Sequence, residues 1–84
     1  MIQLRFFAAL REAVGEEGRQ VDLPAHVTSV AALCHWLAEQ YPELARAFSA
    51  VPRYRVAINE ELAQPHSLIR DGDVVALFPP VTGG

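Results

Sequence analysis

Asp71-Gly72-Asp73-Val74-Val75-Ala76-Leu77-Phe78-Pro79-Pro80-Val81-Thr82-Gly83-Gly84 closes the chain, and its reading decides the fold. Asp-Gly-Asp is turn chemistry: glycine takes backbone shapes closed to other residues, and aspartate bonds to nearby backbone N–H groups. Val74 to Phe78 is an unbroken run of five apolar residues, the right length for a buried strand. Pro79 and Pro80 end it, because proline has no N–H to give a ladder. Residues 81–84 are then expected to form a flexible tail, with a domain over residues 1–80. Gly83 and Gly84 are thin, so such a tail can thread a narrow channel and present the Gly84 carboxylate there. A frayed terminus is the plain alternative. The turn, strand and proline pair ahead of the tail weigh against it.

Outward from that stretch the chain alternates strands and helices. Residues 2–7 place Ile2, Leu4 and Phe6 on one face and Gln3, Arg5 and Phe7 on the other, the period of a strand. Residues 8–14 are helix formers stopped by Gly15. Residues 19–23 alternate again, with Val21 and Leu23 inward and Pro24 as the stop. Thr28 offers an N-cap to a helix over residues 29–40, where Val30, Leu33, Cys34, Leu37, Ala38 and Tyr41 form an apolar stripe. Pro42 breaks that run, and residues 43–49 suit a second short helix. Residues 54–59 read as a third strand, residues 59–61 as a turn, and Leu62 and Ala63 as a brief fourth strand. The order implies an α+β fold, with a mixed sheet packed on one main helix: the β-grasp, or ubiquitin-like, roll.

Charge, length and cysteine content exclude several functions. With 84 residues there is room for one domain. No apolar run approaches the roughly 20 residues of a membrane span, and none at the start resembles a signal peptide, so a cytoplasmic location is expected. The net charge of −3 argues against nucleic acid as a partner. All seven basic residues are arginine, so no lysine is present for Schiff-base or acyl chemistry. A single cysteine forbids an internal disulfide. His26, Cys34, His35 and His66 stand in no zinc spacing, so no metal is expected.

The chain resembles the MoaD family, the small subunits of molybdopterin synthase, which are sulfur carriers of the ubiquitin-like superfamily. The resemblance spans essentially the whole chain. It rests on Ile2-Gln3-Leu4-Arg5-Phe6-Phe7-Ala8, Leu10-Arg11-Glu12, Ala57-Ile58-Asn59 and, most specifically, the closing stretch quoted above. The total lack of lysine departs from the expected pattern. The resemblance implies that Gly84 is adenylated and converted to a thiocarboxylate, with Gly83 beside it. The sulfur then passes to a cyclic pyranopterin precursor held by the large subunit, forming the dithiolene at two carriers per product. It implies no cofactor bound to this chain, the ATP being used by an E1-like activating enzyme. It also implies a separate sulfur-donor protein, and a heterotetramer of two small and two large subunits. On its own such a chain is a protein co-substrate. Thiocarboxylate carriers for thiazole synthesis or tRNA thiolation, and an inert ubiquitin-like interaction module, are the rival readings.

In a β-grasp roll the first and last strands are parallel neighbours. That would set Phe7 and Phe78 at the same end of the uncovered sheet face, beside the tail. With Pro79, Pro80, Val81 and Thr82 they are the expected partner-binding residues. Cys34 is the rival sulfur carrier, but its place in the apolar stripe points to core packing. His26 and His66 read as solvated loop residues, and His35 as a residue of the polar helix face without a partner. Glu16, Glu17, Glu60 and Glu61 read as solvated turn charges, and Trp36 as packing under a loop. Arg5, Arg11 and Arg53 could meet a partner's acidic groups, with nothing in the sequence to single one out.

Overall fold

Alternation in the first strand sorts its side chains before any packing is considered. In the computed structural model, which describes residues 1–80, β1 (Ile2–Phe6) buries Ile2, Leu4 and Phe6 and turns Gln3 and Arg5 the other way. β2 (Gly18–Val21) lies antiparallel beside β1. β3 (Arg55–Ile58) and β4 (Glu61–Leu62) form a hairpin. β5 (Val74–Phe78) buries Val75 and Leu77 completely. It runs parallel to β1, with Leu4 beside Val75 and Phe6 beside Leu77, so the buried rows of the two strands coincide. β3 pairs antiparallel with the other edge of β5, completing the order β2-β1-β5-β3-β4. This is the mixed sheet of a ubiquitin-like β-grasp roll.

The helical layer is broader than one main helix. α1 (Ala8–Val14) contributes Leu10, α2 (Val30–Gln40) contributes Val30, Leu33 and Leu37, and α3 (Pro42–Ala50) contributes Leu44 and Ala47, all buried. Pro42 opens α3 as well as ending the run before it. A proline at the first helical position gives up an N–H that would have had no partner there. The cap of α2 is Ser29, one residue past the expected Thr28. Ser29 has extended backbone, its side chain accepts from the Ala32 N–H at 3.2 Å, and it bridges to Leu68. β2 stops at Val21, short of Leu23, which is half-buried in the loop that follows.

Polar side chains tie separate segments together at two places. Arg19 bonds to Glu16 and reaches Glu43 of α3 at 3.0 Å, with its guanidinium 4.8 Å from the centre of the Tyr41 ring. Burial alone would lower the Arg19 pKa, but these hydrogen bonds outweigh it and raise it. Glu16 is thus a structural ion-pair partner, not a solvated turn charge. Trp36 packs edge-on against Tyr41 at 6.2 Å, where a loop had been expected. The second tie joins two stretches that are distant in sequence. The Asn59 amide donates to Asp73 at 2.9 Å, and its carbonyl oxygen accepts from the Val74 N–H at 2.9 Å. Asn59 and Glu60 take positive φ of 49° and 71°, the requirement of a two-residue hairpin turn between paired Ile58 and Glu61. No described helix is long and apolar enough to cross a membrane.

Candidate functional site

The helices cover one face of the sheet, and the register assigns every residue of the other. Across the strands, Arg5 of β1, Ala76 of β5, Ala57 of β3 and Leu62 of β4 form one row. Phe78 and Arg55 face each other in the next row, toward the end of β5. Val74 lies nearer the start of that strand. Val74 is 37% exposed, Leu62 55% and Phe7 40%, values that leave apolar surface open to water. Ala76 and Phe78 are half-buried between them. Arg5, Phe7, Asn59, Glu60, Val74 and Ala76 line a shallow groove of about 470 Å³ on this face.

Local backbone explains how Phe7 comes to be exposed. Its N–H donates to the Leu77 carbonyl at 3.1 Å, so Phe7 continues the β1–β5 ladder one residue past Phe6. Its side chain therefore falls on the open face. Ala8 then takes φ 50°, a left-handed conformation costing about 1–2 kcal/mol for a residue with a Cβ, and turns the chain into α1. The Arg5 guanidinium carbon lies 5.9 Å from the centre of the Phe7 ring. Phe7 and Phe78 are thus placed at the same end of the open face. Pro79 is half-buried and Pro80 exposed. Val81, Thr82, Gly83 and Gly84, the remaining expected site residues, lie outside the described residues.

Leu62 and Arg55 were not singled out in the sequence. Leu62 reads there only as part of a brief strand. The paired register across β3, β4 and β5 is what brings both onto this face.

Cys34 sits apart from this face. It is half-buried on the wall of a cleft of about 390 Å³, also lined by Tyr54, Val56, Ala63 and Pro65. Burial pushes its thiol above the ordinary value, with the Tyr54 hydroxyl pulling partly the other way. The same burial raises the Tyr54 phenol. A thiol held in its protonated form is a weak nucleophile. His35 has a partner after all: its Nε2 lies 3.4 Å from Glu39 one turn along α2, an exposed pair. His26 and His66 are exposed. Among the described residues no group of three or more His, Cys, Asp or Glu could hold a metal.

The ThiS family pattern matches residues 4–84. The chain belongs to the ThiS family. The molybdopterin synthase sulfur carrier subunit of Escherichia coli K12 is 39% identical over 84 residues, covering all of both chains. The Mycobacterium tuberculosis protein of the same name is 32% identical, covering 99% of this chain and 96% of that one. Small archaeal modifier protein 1 of H. volcanii superposes with a TM-score of 0.76 at 28% identity, over 95% of this chain and 97% of that one. A chain from the complex of subunits 1 and 2 of molybdopterin-converting factor from Helicobacter pylori 26695 superposes at 0.65 with 25% identity, over 99% and 97%.

In this ThiS-family chain the open face offers apolar surface with arginines beside it, an arrangement suited to binding a partner.

Proposed function

We propose that this ThiS-family chain is the sulfur-carrier subunit of molybdopterin synthase, and that its open sheet face docks on the large subunit. The observation that carries the reading is the junction at Phe78. There an apolar sheet face meets Pro79-Pro80, directly before Val81-Thr82-Gly83-Gly84. Full-length identity to proteins named as that carrier supports it.

A carboxylate is a poor electrophile, so the Gly84 terminus first needs a leaving group. In the activating enzyme a carboxylate oxygen attacks the α-phosphate of ATP and pyrophosphate leaves. The terminal sulfur of a donor persulfide attacks the carbonyl carbon of the acyl-adenylate and AMP leaves. A thiol then attacks the donor's sulfur in the resulting acyl disulfide, releasing the thiocarboxylate and leaving a disulfide on the donor. ATP is bound by that enzyme and not by this chain. The thiocarboxylate sulfur is the nucleophile delivered to the pterin precursor. Docking through the sheet face holds the tail at the channel mouth, which raises the effective concentration of sulfur there. In this reading two carriers and two large subunits form the assembled synthase.

ATP–pyrophosphate exchange with the activating enzyme, followed by intact mass, tests the proposal. The expected result is exchange dependent on this chain and replacement of one oxygen by sulfur at its C-terminus. A chain that supports neither is an inert module. A chain that is thiolated but transfers no sulfur to the pterin precursor in the presence of the large subunit serves another acceptor, such as a thiazole or a tRNA.

A further inference from the structure

The arginines of this chain are not used alike. Arg19 is committed to Glu16 and Glu43, and Arg11 pairs with Glu17. Arg5 and Arg55 make no ion pair among the described residues. Both are exposed and both lie on the open face, Arg5 beside Ala76 and Arg55 opposite Phe78. They stand two strands apart, about 10 Å at ordinary strand spacing, with β5 and its apolar residues between them. The acidic group of the face lies toward its other end: Glu60, in the hairpin after β3, lines the groove with Asn59 and Val74. The open face is therefore polarised along β5: basic toward the tail, acidic away from it, on a chain whose net charge is −3.

We infer that Arg5 and Arg55 are specificity-determining residues of this face, fitting a protein partner that carries carboxylates around the mouth of the channel receiving the tail. The inference rests on the proposed carrier role and adds to it the charge of the partner surface on the large subunit. Two unpaired cations astride an apolar strip raise the rate of encounter with an acidic surface. They also resist the reversed orientation, which would bring Glu60 against the same carboxylates. The apolar residues between them hold the complex once formed, so the two sets act on different rate constants.

Stopped-flow association of the full chain with the large subunit from the same source, at low and high salt, tests this. The variants are Arg5→Gln/Arg55→Gln and Arg5→Glu/Arg55→Glu. The wild-type association rate should fall steeply with salt. The glutamine pair should associate about tenfold more slowly at low salt, with a nearly flat salt dependence. The glutamate pair should be slower still, and dissociation should change little in either. Circular dichroism confirms that the variants are folded, as expected for exposed side chains. Unchanged association and salt dependence in the glutamine pair, or faster association in either variant, overturns the inference and leaves the carrier role standing. A wild-type chain that does not bind the large subunit overturns the carrier role itself, and this inference with it.

Discussion

The two faces of the sheet are made by the same strands in alternation, and they carry opposite duties. On the covered face Ile2, Leu4, Phe6, Val75 and Leu77 are at most 2% exposed and meet three helices. On the open face their immediate neighbours Arg5, Phe7, Val74, Ala76 and Phe78 are exposed or half-buried. Stability is thereby concentrated in one row of side chains and recognition in the next. A residue can change one property and leave the other, provided that its place in the alternation is respected.

Removing Gly84 tests that separation most severely. It withdraws the reacting carbonyl by up to ~3.3–3.6 Å, where about 1 Å can cost on the order of 100-fold. Thiolation and sulfur delivery should vanish while the thermal melt stays that of the parent; a lower melting temperature would tie the tail to the core. Next in size, Leu77→Ala on the covered face should cost about 2–5 kcal/mol in urea unfolding. At temperatures where the variant is folded, its affinity for the large subunit should be that of the parent. Phe7→Ala on the open face should do the reverse. We expect about 2–4 kcal/mol of binding lost by calorimetry, and stability within ~0.5 kcal/mol of the parent. If Phe7→Ala destabilised the fold as much as Leu77→Ala does, the division between faces would fail.

The smallest effect concerns Cys34. Cys34→Ala should cost about 1 kcal/mol and leave sulfur transfer intact. Its pH dependence has a definite sign. Burial raises the thiol pKa above its ordinary value, so the folded state favours the protonated thiol. That contribution is fully present below the unfolded-state pKa and is lost as pH rises through the folded one. Wild-type stability should therefore fall in the alkaline range, more steeply than that of Cys34→Ala. Equal slopes in the two denaturation series would remove the buried thiol from the account.

Much of this architecture is legible in the residues. The alternation of residues 2–7 and the apolar run after Asp73 are local signals, and both strands formed where they point. The Asn59 and Asp-Gly-Asp segments were each readable as turns, yet only the structure shows that one clamps the other. Thr28 and Ser29 are both good caps. The choice between them depends on Ser29 bridging to Leu68, a contact between distant segments. Leu62 was readable as strand, but its place on the open face follows from pairing with Ala57. Arg5 and Arg55 are far apart in the chain and become a pair only through the strand order. Among the expected partner residues, Phe7, Phe78, Pro79 and Pro80 can be placed, whereas Val81 to Gly84 lie beyond the described chain.

The parallel pairing of β1 with β5 carries a consequence for biosynthesis. β1 is the first described element and β5 the last, so the central pair of the sheet cannot form until β5 has been synthesised. Contacts of such long sequence separation close late, after local helices have had time to form. A nascent or truncated chain lacking β5 has no continuous open face, because that strand forms its middle. An activating enzyme that grips the face together with the tail would accept only chains that have finished folding. Synthesis errors upstream would then be screened out before any ATP is spent on them.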